Sequence, residues 1–151
     1  MAIPSVLDRL QHVAGNLKDL RDRHATAGLL GAAIPRSQVR DLSPKEIVEL
    51  RRQLRLSQQQ LADWLNVSLV SVSRWERNQG HPPAREARTL ARLAELVNAA
   101  PNRLTPREMV RLFAEPHEDL YNDRPVDVLA TEFGYRAVRQ ILERLLTGEY
   151  A

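Results

Sequence analysis

Apolar residues recur along this chain at intervals of three and four positions, the spacing that places side chains on one face of an α-helix. No run of β-branched or aromatic residues alternates with polar ones between turn signals, as a half-buried strand would require. The pattern therefore predicts an all-α protein. Near the start, one apolar seam predicts a helix over 5–23, and it consists of Val6, Leu10, Val13, Leu17 and Leu20.

Capping signals mark the starts of several later helices. In each signal a Ser or Thr is followed three residues later by a Glu or Gln whose side chain can bond back to the cap. The signals are Ser43 with Glu46, Ser57 with Gln60, and Thr105 with Glu108. Together with the glycine and proline breaks they predict helices over about 44–55, 57–66, 68–78, 84–98, 106–114 and 135–147.

The last two long helices carry clear apolar faces. We expect the helix over 84–98 to pack through Leu90, Leu93 and Val97, and the final helix to pack through Val138, Ile141, Leu142 and Leu145. Before the final helix, Asp123 is expected to cap a helix that carries Val126, Leu129 and Ala130. Gly134 is expected to interrupt the chain, and Gly148 to end the last helix.

Breaks in the helical pattern divide the chain into three parts. Gly28, Gly31 and Pro35 mark a linker, and Ala99–Asn102 separates two capped helices. We expect an N-terminal helix and linker over 1–40, a helical domain over 41–99 and a small C-terminal helical domain over 100–151.

Composition narrows the class of protein. The 151 residues are 43% hydrophobic and 27% charged, as in ordinary globular domains. The absence of cysteine excludes disulfides and thiolate metal sites, and the four histidines are scattered, so we expect no metal or other cofactor. No window has the apolar length of a membrane span, and the first residues lack the pattern of a secretion signal. These features favour a cytoplasmic protein.

Charge is distributed unevenly along the chain. Residues 36–92 carry eleven basic and six acidic side chains, whereas residues 106–151 carry six basic and nine acidic ones. Nearly all the positive charge comes from arginine, since the sequence has only two lysines. A cationic middle and an anionic end predict two surfaces with different partners, and the cationic one is suited to a polyanion.

The stretch from Leu56 to Glu76 meets the requirements of a helix-turn-helix. Two short helices that meet at a steep angle need a small residue where they approach, and Ala62 supplies it. The turn needs a residue that tolerates left-handed backbone, and Asn66 supplies that. Apolar anchors flank both positions, namely Leu61, Leu65, Val67, Val72 and Trp75.

By these residues the segment from Ile47 to Leu96 resembles the Cro/cI-type helix-turn-helix of the Xre family, whose domain has five helices. The resemblance implies binding to double-stranded operator DNA, with the second helix of the motif in the major groove. It places Leu69, Val70 and Arg74 at base-reading positions, flanked by Ser71 and Ser73. Phosphate contacts are expected from Ser57, Gln58, Ser68, Arg77 and Asn78, although the two serines at 57 and 68 also serve as helix caps.

A second resemblance covers the chain from about Leu112 to its end. Arg124-Pro125 opens a helix, Gly134 and Leu142 follow, and Gly148 is followed by a short tail. This arrangement is similar to the toxin-binding domain of Xre/MbcA/ParS-type antitoxins. The resemblance implies an antitoxin of a type II toxin-antitoxin system that represses its own operon and neutralises a cognate toxin.

The same resemblance implies which residues bind the toxin. Family members pair mostly with RES-domain toxins that consume NAD, and their C-terminus covers the toxin's active site. Carried onto this chain, the inserted residues are Gly148, Glu149, Tyr150 and Ala151, with Arg136 or Arg139 at the rim. The carboxylates of Glu149 and Ala151 are suited to arginines that otherwise hold a phosphate-bearing substrate.

Several alternatives remain open at the level of the sequence. A stand-alone Xre-family repressor would use the C-terminal domain for oligomerisation or effector binding. The expected homodimer, or higher oligomer, has two candidate interfaces, the seam from Val6 to Leu20 and the helix around Leu90 to Val97. We expect no enzymatic activity, because the sequence has no glycine-rich phosphate loop, no metal-ligand spacing and no Ser, His and acid set.

Overall fold

A computed structural model describes residues 40–100 and 103–148, and these residues confirm the all-α class. The helices are α1 (Pro44–Gln53), α2 (Gln58–Leu65), α3 (Leu69–Glu76), α4 (Ala84–Ala99), α5 (Pro106–Ala114), α6 (Pro125–Val128) and α7 (Glu132–Thr147), with a 3-10 turn at Glu118–Leu120. Residues 41–99 contain four helices, the number that the capping signals and breaks predict there. The predicted N-terminal helix and its seam lie outside the described residues.

Three helices begin at the predicted capping boxes. The Ser43, Ser57 and Thr105 hydroxyls each accept a hydrogen bond from the backbone N–H three residues on, and the Glu or Gln there bonds back to the cap. At the first box, Arg40 adds an ion pair of 2.7 Å to Glu46. The hydrogen bond from Arg40 is the main reason why the pKa of Glu46 falls to about 2. Local sequence therefore sets where these helices start.

One hydrophobic core joins the described helices from α1 to α7. Its fully enclosed side chains include Leu61, Leu93, Phe113, Leu129 and Leu142, each with 0% exposure. On α4 the core residues are Leu90, Leu93 and Leu96, whereas the expected Val97 is only half-buried. Within the described residues, no helix combines the length and apolar character needed to cross a bilayer.

Two arginines of α4, Arg88 and Arg92, hold the end of α6 against α4. Arg88 Nη1 donates to the carbonyl of Ala130 at 3.2 Å, and Arg92 Nη1 donates to that of Leu129 at 2.7 Å. Both carbonyls directly follow the last residues of α6, where the helix leaves its acceptors unpaired. We call these two residues the arginine clamp.

The arginine clamp also reaches α7. Arg92 forms a 3.0 Å ion pair with Glu132 and lies over the ring of Tyr135, 5.1 Å from the ring centre. Burial, with a hydrogen bond to Glu95, raises the pKa of Tyr135 and keeps its phenol neutral. The clamp thus fixes both C-terminal helices relative to α4.

Two predictions about the start of α6 and its neighbours are wrong. Asp123 is not the cap of α6, because the N-cap is Arg124 and no side chain bonds to the cap position. Arg124 instead forms an ion pair of 2.7 Å with Asp127 and donates to the Trp64 carbonyl at 3.4 Å. The helix also ends at Val128, so Leu129 and Ala130 follow it rather than belong to it.

Gly134 does not interrupt the chain as predicted. Thr131 caps α7, and its hydroxyl accepts a hydrogen bond of 3.0 Å from the Gly134 N–H inside the first turn. A Cβ on Gly134 would overlap the Val128 carbonyl oxygen and lie 2.7 Å from Val128 Cβ. The glycine is needed because α6 and α7 approach each other through their backbones.

We expect Gly134→Ala to destabilise the protein by about 2 to 3 kcal/mol, since the added methyl group must displace backbone. Chemical denaturation of the purified chain measures this loss. Gly80→Ala is the matched control because nothing lies within 4 Å of a Cβ built there, and its effect should be a few tenths of a kcal/mol. Equal stability of the two variants would contradict the close approach.

Candidate nucleic-acid interface and C-terminal surface

Helices α2 and α3 have the geometry expected of a helix-turn-helix. Asn66 ends α2 with φ of 55° and ψ of 43°, the left-handed conformation predicted for the turn. Its N–H bonds back to α2, and the Val67 N–H donates to the Ala62 carbonyl at 3.0 Å. Ala62 has 0% exposure where the two helices meet, so its small size lets them approach.

The base-reading positions predicted on α3 lie on an open face. Leu69 is 42% exposed and Val70 is 59% exposed, and Arg74 is also exposed. On the opposite side of the same helix, Val72 and Trp75 are buried in the core. Leu69 and Val70 therefore leave aliphatic surface open to a partner on this eight-residue helix.

The serines of this region are engaged locally. Ser68 caps α3, and its hydroxyl bonds to the Ser71 N–H at 3.1 Å and to the Ser71 hydroxyl at 2.9 Å. Ser71 and Ser73 are half-buried, and Ser57 is exposed at the N-cap of α2. Ser57 and Ser68 therefore cap helices, and their exposed hydroxyls keep spare hydrogen-bonding capacity.

A buried ion pair joins α1 to the end of α3. Arg51 Nε and Nη2 donate to the two carboxylate oxygens of Glu76 at 2.8 and 2.9 Å. The third donor, Arg51 Nη1, reaches the Leu56 carbonyl in the loop before α2 at 3.1 Å. The Glu76 side chain is only 5% exposed. Such a bidentate pair fixes both partners in orientation as well as position.

Glu76 also holds the side chain of Gln58. The Gln58 Nε2 donates to Glu76 Oε1 at 3.1 Å, which directs an amide at the start of α2 towards the end of α3. Burial opposes the charge on Glu76, yet the hydrogen bonds from Arg51 and Gln58 outweigh it and keep its pKa below the ordinary value. Glu76 therefore stays ionised and keeps Gln58 in place.

Arg51 and Glu76 were not among the site residues predicted from the sequence. The only local signal for this ion pair was an acidic residue at the end of the motif, within a stretch rich in arginine. Beyond Glu76, Arg77 and Asn78 are exposed as predicted contacts would be. Arg77 Nε donates to the Ser73 carbonyl at 3.3 Å, and Asn78 adopts a left-handed φ of 57°.

The C-terminal site residues lie on or after α7. Arg136 forms an ion pair of 2.8 Å with Glu132, and Arg139 is half-buried. Gly148 ends α7 as predicted, with a left-handed φ of 78°. Glu149, Tyr150 and Ala151 lie outside the described residues.

Two large apolar side chains of α7 are exposed. Phe133 is 41% exposed at one end of the helix, and Leu145 is 40% exposed near the other. Leu145 was expected on the buried face with Val138, Ile141 and Leu142, and that part of the prediction is wrong. The next residue, Leu146, is the one that packs against the core in the last turn. In residues 40–100 and 103–148 no three metal-binding side chains cluster.

Comparisons with known proteins match two successive segments of the chain, one with the helix-turn-helix and one with the C-terminal helices. A family model described as helix-turn-helix matches residues 47–96. A second, described as the antitoxin Xre/MbcA/ParS C-terminal toxin-binding domain, matches residues 102–148. No curated protein matches the chain in sequence.

One solved structure shares the fold. A chain from the crystal structure of the M. tuberculosis MbcT-MbcA toxin-antitoxin complex aligns with a TM-score of 0.55 and 19% sequence identity. The alignment covers 72% of this chain and 96% of that chain. At this identity the likeness establishes the fold alone.

The ion pair predicts a specific dependence of stability on pH. Because the pKa of Glu76 is lowered from 4.5 by folding, its charge stabilises the protein above about pH 4.5. That contribution is lost as the pH falls through the folded-state pKa. We expect Glu76→Gln to cost about 3 kcal/mol at neutral pH and to unfold with a weaker pH dependence than the parent chain below about pH 5.

Thermal unfolding measured at a series of pH values tests this expectation. Glu49→Gln is the matched control, since Glu49 lies exposed on α1, and its profile should follow that of the parent chain. Parallel acid profiles for the parent chain and Glu76→Gln would show that the Arg51–Glu76 pair does not stabilise the fold.

Proposed function

We propose that this chain, an antitoxin with a helix-turn-helix domain and an Xre/MbcA/ParS C-terminal toxin-binding domain, represses its own operon and neutralises a RES-type toxin that consumes NAD. Residues 41–99 bind operator DNA, and residues 100–151 bind the toxin. The observation that carries the proposal is the open face of α3, where Leu69, Val70 and Arg74 are exposed beside a buried, ion-paired support.

Base recognition follows from the chemistry of that face. Arg74 is suited to bidentate hydrogen bonds with O6 and N7 of guanine in the major groove. Leu69 and Val70 offer only apolar surface, which fits the methyl groups of thymine. Because Arg74 is the one charged donor among aliphatic contacts, this face reads few base edges directly. Arg74 therefore supplies most of the direct discrimination between base pairs.

Phosphate binding flanks the base-reading face. Gln58 keeps one amide N–H for a phosphate oxygen while Glu76 holds the other. Ser57 and Ser68 stand at helix N-termini, where backbone N–H groups and the helix dipole attract anions. Arg77 and Asn78 follow α3 on the exposed side. Such contacts position the protein on DNA without reading sequence.

A single motif of this kind reads a short half-site, so we propose that the chain binds as a dimer to half-sites about 34 Å apart. Two segments were candidates for the dimer contact. Leu90 and Leu93 of α4 are buried within the chain itself, with 1% and 0% exposure. That burial favours the seam from Val6 to Leu20 as the dimerising segment.

Toxin binding is assigned to the chain end. Gly148 ends α7 with a left-handed φ of 78°, and Glu149, Tyr150 and Ala151 follow it in the sequence. In the proposed complex the Glu149 carboxylate binds an arginine of the toxin's nucleotide site, and Tyr150 fills an apolar pocket. Arg136 or Arg139 contacts the rim of the cleft.

Removal of the last three residues, Glu149 to Ala151, should abolish neutralisation and leave DNA binding unchanged. The test co-expresses the antitoxin with the product of the neighbouring gene and scores both growth rescue and co-purification. Full-length Arg74→Ala is the matched control, which should still rescue growth. Full protection by the truncated chain would contradict insertion of the tail, and failure of the full-length chain to bind or rescue would leave a stand-alone repressor.

Arg74→Ala and Gln58→Ala should weaken DNA binding in different ways. Loss of Arg74 removes about 1 to 3 kcal/mol of discrimination at one base position of each half-site, whereas loss of Gln58 weakens binding to all sequences alike. Titrations of each variant against operator DNA and single-base variants measure the difference. Arg77→Ala removes a charge at an assigned phosphate contact, so it should weaken binding to all sequences alike, as Gln58→Ala does. Equal loss on every sequence for Arg74→Ala would refute its assignment to base reading.

A further inference from the structure

Arg55, in the loop between α1 and α2, has an unusual backbone conformation. Its φ is 54°, in the left-handed region. The loop ends α1 in the usual way, since the Arg55 N–H bonds to the Arg52 carbonyl and the Leu56 N–H to the Arg51 carbonyl, both at 3.0 Å. Position 55 is therefore the first residue after the helix cap, where glycine is the ordinary choice because other residues are strained there.

Five other described residues have positive φ, among them Tyr121 and Gly148. Three of them, Asn66, Asn78 and Asn122, are asparagines, which tolerate left-handed backbone. Arginine has no such tolerance, and its side chain makes no hydrogen bond or ion pair within residues 40–100 and 103–148 that would compensate. The end of α1 requires a left-handed residue here but not an arginine, and non-glycine residues held in this conformation are frequent at functional sites.

The location of Arg55 indicates what the side chain binds. Arg55 is exposed and precedes the α2 cap, Ser57, by two residues, so the two Cα atoms are at most about 7 Å apart. Ser57 and Gln58 open the helix assigned above to a DNA phosphate. An arginine side chain at this distance reaches the same stretch of DNA backbone.

The charges around Arg55 and the start of α2 favour the binding of an anion. Arg51 is neutralised by Glu76, but its neighbour Arg52 is exposed and lies close enough to add to the lowering of the Glu76 pKa. Arg52 and Arg55 thus leave uncompensated positive charge beside the start of α2. The nearest acidic group in the network, Glu76, is already shared by Arg51 and Gln58.

We propose that Arg55 is a DNA-binding residue, which contacts a backbone phosphate next to the one held at the N-terminus of α2. Arginine at position 55 accepts a strained backbone and places a positive side chain beside the start of α2, where glycine would provide no charge. This inference rests on the proposed binding of DNA by α2 and α3, and it adds a contact that reads no base sequence.

One substitution, measured for both thermal stability and DNA affinity, separates an effect on folding from an effect on binding. Arg55→Gly removes both the strain and the charge, so we expect its Tm to rise by about 2 °C. Its affinity for DNA should fall about tenfold, because the variant cannot form the charge-assisted hydrogen bond. The slope of log affinity against log salt should become less steep by about 0.9 for each phosphate that the variant no longer neutralises. Arg55→Lys keeps the charge and should keep most of the slope.

The measurements use the full-length chain and a duplex of mixed sequence, about three helical turns or 30 base pairs long. Arg107→Ala, which removes an exposed arginine of α5, controls for net charge and should leave the slope unchanged. A higher Tm for Arg55→Gly with unchanged affinity and slope would overturn the proposal and make Arg55 a turn residue only. Absence of DNA binding by the parent chain would overturn the proposed function together with this inference.

Discussion

The helix-turn-helix of this protein depends on a single buried carboxylate. Glu76 lies at the end of α3 with a side chain that is 5% exposed, and an isolated charge so placed would be strongly destabilising. Its two oxygens are satisfied by Arg51 of α1 and Gln58 of α2. One group thereby sets the relative positions of the end of α1, the start of α2 and the end of α3. The exposed face of α3, which carries Leu69, Val70 and Arg74, is fixed in space because the far end of the helix is anchored there.

The C-terminal domain is attached to this motif through α4. The arginine clamp joins that helix to the carbonyls after α6 and to Glu132 of α7, and the apolar core continues across the same boundary. At the other side of the molecule, Arg124 reaches the Trp64 carbonyl at the end of α2. The two matched domains are therefore packed against each other by polar and apolar contacts alike.

Sequence patterns predicted those features that depend on neighbouring residues. The capping boxes at Ser43, Ser57 and Thr105 and the left-handed Asn66 involve residues within four positions, and each is found as predicted. The Arg51–Glu76 pair joins residues 25 apart, and the arginine clamp joins residues 37 to 42 apart, so no local pattern could indicate them. Gly134 was misread for the same reason, since the need for glycine comes from Val128 on the preceding helix and not from a turn. The motif was thus predictable in outline, while the contacts that hold it rigid were not.

The arginine clamp has a thermodynamic consequence. It places α4, the last helix of the segment matched as helix-turn-helix, in direct contact with α7, the last helix of the segment matched as a toxin-binding domain. A ligand that binds one domain and alters the Arg92–Glu132 contact also alters the free energy of ligand binding at the other domain. Linkage requires the two effects to be equal. Occupancy of the DNA would then change toxin affinity by the same factor as the toxin changes DNA affinity.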